Sequence, residues 1–187
     1  MNLKKKVVAM GMVCALALGM ATSAFAAETI STRNVQQPVI IGRTYRVHNA
    51  ARNQYLNVDV PNKASLASDK NVNTWPATGD STQTWYIAPT EYGASYMGCA
   101  GTLYAINGKQ TSKNCDVVHI YENNPQDYLL MYPQTTGNHL KIRFVNTDFW
   151  GGYYMNATSS MVYGKGYNVN WAKAPSNPNS DCWDFYG

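Results

Sequence analysis

Val72-Asn73-Thr74-Trp75, followed by Gln83-Thr84-Trp85-Tyr86-Ile87, is the stretch that decides the fold. Side chains alternate faces along a strand, so Val72 and Thr74 share one side of the first piece and Asn73 and Trp75 the other. Pro76, Gly79 and Asp80 lie between the two pieces and are turn formers. The stretch reads as two short strands joined by a loop. Runs of the same kind recur at Thr44–His48, Asp116–Tyr121, Tyr128–Tyr132 and Leu140–Val145, each rich in Val, Ile or Tyr and bounded by Gly, Asn, Pro, Ser or Asp. Helical periodicity is nearly absent. Many short strands separated by turns predict an all-β sandwich or barrel.

The decisive stretch is repeated. Upstream of it stands Tyr55-Leu56-Asn57-Val58. A second copy reads Leu103-Tyr104-Ala105-Ile106, then Val118-His119-Ile120-Tyr121, then Gln126-Asp127-Tyr128. A third reads Tyr154-Met155-Asn156-Ala157, then Tyr167-Asn168-Val169-Asn170-Trp171, then Asp181-Cys182-Trp183. The closing aromatics Trp85, Tyr128 and Trp183 are 43 and 55 residues apart. Three units of about four strands each can close into one barrel, which removes the open edges a single unit would leave.

A Q-x-W at the end of a repeat, an apolar-polar-apolar-Trp strand upstream and an L-[DN]-V strand before that resemble ricin-type lectin domains. The resemblance covers residues 43–187. Gln83-Thr84-Trp85 is the one complete Q-x-W; the other copies depart to Gln126-Asp127-Tyr128 and Asp181-Cys182-Trp183. The resemblance implies a β-trefoil of three pseudo-repeats, about twelve short strands, with up to one shallow sugar site per repeat.

Composition agrees with a compact exported domain. Of 187 residues, 14% are charged and 12% aromatic, with 14 tyrosines. So many aromatics exclude disorder, and the scarcity of charge excludes a long coiled coil. Residues 1–26 read as a signal peptide of bacterial form. Lys4, Lys5 and Lys6 precede an apolar run from Val7 to Ala21, and Ala24-Phe25-Ala26 is an A-x-A cleavage site. Cleavage takes three lysines and no acid from a formal charge of +4, leaving +1. No basic cluster remains, so nucleic acid is not an expected partner, and no membrane span is expected after cleavage. Residues 27–42 lack periodicity and read as an N-terminal arm. The chain is therefore expected to be secreted.

Cys99, Cys115 and Cys182 remain after the leader. An exported protein permits a disulfide, and Cys99–Cys115 is the preferred pair because it closes a short loop. Cys182 is then left over, as a buried thiol or as a covalent link to a partner. No C-x-x-C or H-x-x-x-H spacing supports a metal, and no cofactor is expected. No G-x-S-x-G, H-E-x-x-H or P-loop pattern is present, so no catalytic residues are assigned.

A sugar offers a C–H face, which packs on an aromatic plane, and neighbouring hydroxyls, which suit amides and carboxylates. By the resemblance, Trp75 is the stacking platform of the first repeat, Asn73 a polar contact and Gln83 a supporting residue, with Trp85 in the core. Asn57 falls where such lectins carry Asp, and Asp59 takes that role if the register slips by two. The second repeat offers His119, Tyr121 and Gln126. The third offers Asn156, then Asn168 with either Asn170 or Trp171. The expected function is a non-enzymatic lectin binding glycans or glycoconjugates, alone or as the cell-binding subunit of a toxin or adhesin. The alternative is a β-trefoil used for protein recognition, such as a protease inhibitor, or as a structural surface protein.

Overall fold

The computed structural model describes residues 41–89, 95–107, 114–121, 131–136, 139–144 and 153–187, with residues 131–136 and 144 described by backbone alone. Residues 1–26, read as a signal peptide, nearly all of the expected arm, and Gln126 and Tyr128 lie outside them. The described residues form twelve strands and no α-helix. They are β1 (Thr44–Asn49), β2 (Gln54–Val58), β3 (Lys70–Trp75), β4 (Trp85–Pro89), β5 (Ser95–Cys99) and β6 (Tyr104–Asn107). The others are β7 (Asp116–His119), β8 (Met131–Thr136), β9 (His139–Phe144), β10 (Tyr154–Val162), β11 (Gly166–Ala172) and β12 (Trp183–Tyr186). No helix among the described residues is long and apolar enough to cross a membrane.

Every pairing is antiparallel, and six strands close a ring. β1 pairs β4, β4 pairs β5, β5 pairs β8, β8 pairs β9, β9 pairs β12 and β12 returns to β1. The other six strands form hairpins, β2–β3, β6–β7 and β10–β11. The hairpins meet one another: β3 pairs both β7 and β11, and Asn114 bridges Asn170. A six-strand barrel with three converging hairpins is the arrangement that the expected pseudo-threefold fold calls for. It also protects the edges a lone hairpin would expose.

Alternation decides what fills the interior. Val47, Leu56, Val58, Val72, Trp85, Ile142, Met155, Val169, Trp171 and Trp183 are fully buried in one cluster. The indole N–H groups report the repeat. Trp85 Nε1 donates to the Leu56 carbonyl at 3.0 Å, and Trp183 Nε1 donates to the Met155 carbonyl at 2.9 Å. Leu56 and Met155 stand at the same place in the first and third repeats, next to Asn57 and Asn156. Each closing tryptophan thus ties its barrel strand to its own hairpin, with its polar atom satisfied inside the core.

The expected Cys99–Cys115 disulfide is absent; both cysteines are free and buried. The fold sends them to different places. Cys99 ends β5 opposite Trp85, with its Sγ 3.9 Å from the Ser81 carbonyl oxygen. Cys115 lies where the hairpins meet, accepting from the Val72 amide and donating to the Val169 carbonyl, both at 2.9 Å. Burial raises both thiols above their ordinary value, the more so at Cys115, and keeps them protonated. Cys182 is also free and 5% exposed, so it is not presented for a covalent link to a partner.

Candidate functional site

Three of the asparagines read as sugar contacts, Asn57, Asn73 and Asn156, lie inside the protein, and Asn168 does not. Asn57 faces Asn73 across β2–β3, and its Nδ2 donates to Asn73 Oδ1 at 3.0 Å. Asn73 has no exposed surface and Asn57 very little. Asn156 faces Asn170 across β10–β11 in the same way, donating at 2.9 Å. Its Oδ1 accepts from the Ser176 amide at 3.1 Å and from Ser180 Oγ at 2.6 Å. The polar stretch before Trp183 therefore folds back over the hairpin and is held there by Asn156. Asn57 and Asn73 tie the two strands of one hairpin, Asn156 ties a loop to another, and none of the three presents its side chain to a ligand from this position.

Gln83 holds the corresponding stretch of the first repeat. Its Oε1 accepts from Arg46 at 3.0 Å and from the Thr78 amide at 3.1 Å, and its Nε2 donates to the Pro76 carbonyl at 2.8 Å. The third repeat answers with an ion pair, Lys141 to Asp181 at 2.7 Å. Each basic side chain also lies over a tyrosine, Arg46 at 4.0 Å from the Tyr55 ring centre and Lys141 at 5.6 Å from that of Tyr154.

Register settles which residues are equivalent. Tyr55 pairs with Trp75, Tyr104 with His119, and Tyr154 with Ala172. His119, not Tyr121, is thus the counterpart of Trp75. Tyr121 lies past the end of β7 and is 78% exposed, its ring 6.1 Å from His119. The third repeat has lost the platform, with Ala172 in its place. Asn170, rather than Asn168, is the partner of Asn156. Asn168 sits opposite Asn73 and donates to Asn114 Oδ1 at 2.8 Å. Asp59 lies beyond β2, its amide donating to the Asn71 carbonyl. That is four residues from Tyr55, about 13 Å along a strand, so Asp59 and Trp75 do not share a site.

The outer face of the first repeat is the richest in contacts. Trp75 is half-buried beside Tyr55, and a Cβ on Gly166 would stand 2.5 Å from its ring. The rings of Tyr55, His48 and Tyr186 meet edge to face, with centroids 5.2 to 6.5 Å apart. Behind them Asp184 lies between two imidazoles, 2.7 Å from His139 and 3.8 Å from His48. Burial pushes the Asp184 carboxyl up, but the two histidines outweigh it and hold it below the usual carboxylate range. His48 and Tyr186 belonged to no repeat element in the sequence; the antiparallel pairing of β1 with β2 and β12 brings them beside Tyr55.

A groove opens where the hairpins converge, with a volume of about 480 Å³. Asp69 and Asn71 form one wall, Asn114 and Asp116 a second. Asn168 and the tip of the β10–β11 hairpin close it.

No family model matches the sequence, and no curated protein does. Solved structures match by shape. A ricin B-like lectin of Macrolepiota procera, solved with lactose, superposes with a TM-score of 0.57 at 13% identity, covering 80% of this chain and 98% of that one. The fold is a β-trefoil. ThreeFoil, a designed three-fold symmetric protein, matches with a TM-score of 0.59 at 16% identity, over 77% of this chain and 98% of that one. A mosquitocidal holotoxin matches with a TM-score of 0.63 at 15% identity, over 79% of this chain but 17% of the toxin. Identities this low carry the β-trefoil fold and nothing of the sites.

Proposed function

We propose that this chain is an exported, non-enzymatic carbohydrate-binding protein that holds glycans on the aromatic outer faces of its first and second repeats. The observation that carries the reading is a cross-strand ring pair kept at one register in two repeats, Tyr55 with Trp75 and Tyr104 with His119. Ala172 removes it from the third. A sugar ring stacks on Trp75 in the first repeat and, in the second, on the exposed Tyr121 that lies against His119, the counterpart of Trp75. Asn73 and Gln83 support these faces from within, and the chain is bivalent. The lactose complex of the Macrolepiota lectin favours a glycan as ligand for this fold. The likeness to part of a holotoxin favours delivery of a toxin as one setting for it, through non-covalent contacts, because Cys182 is buried.

A glycan array probed with residues 27–187 tests the reading. Binding that falls in the Trp75→Ala variant and falls further with Tyr121→Ala supports two aromatic sites. Unchanged binding in the double variant removes them.

A further inference from the structure

The groove at the meeting of the hairpins is separate from both aromatic faces. It is assembled from three hairpins distant in sequence, and its lining is mixed. Asn71, Asn114 and Asn168 supply carboxamides, which serve paired hydroxyls as donor and acceptor together. Met161 and Val162 supply an apolar wall of the kind that receives the C–H face of a sugar. Two carboxylates, Asp69 and Asp116, enter the same space, and no lysine, arginine or histidine lines it among the described residues.

Asp116 lacks a partner on one side. It stands opposite Asn107, which hydrogen-bonds its carboxyl, while its Oδ1 is buried with no hydrogen-bond partner. A buried, unpaired carboxylate oxygen costs free energy unless a ligand meets it. Asp69 adopts a left-handed backbone, φ 65°, which aspartate and asparagine tolerate better than other side chains.

We infer that this groove binds a saccharide carrying a free amine, its ammonium between Asp69 and Asp116 and its hydroxyls on the asparagines. An ammonium answers the uncompensated charge, and the amides and the apolar wall answer the sugar. An acetylated amine brings no charge and leaves both carboxylates unanswered. Burial, followed by the nearby Asp69 charge, pushes the Asp116 carboxyl up to about 6 despite the Asn107 hydrogen bond. Asp69 and Asp116 are the only titratable groups among the described lining residues. Protonation of Asp116 therefore weakens binding as pH falls below about 6, where the sugar amine is charged.

The test is calorimetric titration of residues 27–187 with a chitosan oligosaccharide, with its fully N-acetylated counterpart and with spermidine. The expected result is binding of chitosan alone, about tenfold weaker in Asp69→Asn and in Asp116→Asn, and unchanged in the Trp75→Ala, Tyr121→Ala double variant. Asp69→Asn keeps the left-handed preference, so its fold is retained even if the Asp116 variant rearranges. The last variant separates this groove from the aromatic faces, so either proposal can fail alone. Equal binding of the acetylated oligosaccharide, indifference to Asp69→Asn, or spermidine binding as tight as chitosan overturns the inference.

Discussion

Gln83→Ala is the sharpest test of how the repeats are held. The carboxamide is fully buried and makes three hydrogen bonds, one to the Arg46 guanidinium and two to the backbone of residues 76 and 78. A hydrogen bond to a charged group is worth about 1.5 to 3 kcal/mol net and a neutral one about 1 kcal/mol. Pro76 and Thr78 are themselves exposed, so water recovers part of the two backbone bonds. The expected loss is about 3 kcal/mol. In urea unfolding followed by tryptophan fluorescence, with a slope of about 1.5 kcal/mol/M, that is a midpoint lowered by about 2 M. Gln83→Glu keeps the acceptor for Arg46 and loses the donor to Pro76, so its loss should be smaller than that of Gln83→Ala. A Gln83→Ala protein within about 0.5 kcal/mol of the parent would refute the assignment of Gln83 as the tie between loop and hairpin.

Two further outcomes follow from single positions. Gly166→Ala places a Cβ 2.3 Å from the Thr74 carbonyl oxygen and 2.5 Å from the Trp75 ring; it should cost about 1 to 3 kcal/mol in thermal or urea unfolding and shift Trp75 fluorescence. Asp116→Asn mimics the neutral carboxyl that the fold favours: in the parent that stability is complete below the ordinary value of 3.8 and lost as pH rises through about 6. The variant should be more stable than the parent at pH 7, by about 1 to 2 kcal/mol, and equal to it near pH 3.5 in denaturant titrations.

The β-trefoil was legible because its signal is carried by the largest core residues. Trp85 and Trp183 recur at repeat spacing, and each ties its barrel strand to its hairpin, so sequence period and packing report the same thing. The candidate sites were less legible for three physical reasons. Spacing placed Asn73 and Trp75 on one strand face but could not show a fully buried Asn73, or that Asn156 is covered by the polar stretch before Trp183. In the second repeat, spacing set His119 and Tyr121 in the places of Asn73 and Trp75, and only the Tyr104–His119 pairing shows that His119 is the counterpart of Trp75. The Cys99–Cys115 pairing rested on loop length, whereas the trefoil carries one cysteine to a barrel strand and the other to the hairpin junction. The groove had no local pattern at all, because its walls come from three hairpins.

The aromatic faces of the first two repeats are proposed to hold sugar. The most direct measurement is binding of residues 27–187 to immobilised glycans, read beside the Trp75→Ala variant in one experiment. The expected result is binding by the parent to a defined set of glycans and a marked loss in the variant, with unfolding midpoints alike. Silence of the parent on a broad array, or equal binding by a folded Trp75→Ala protein, would contradict it.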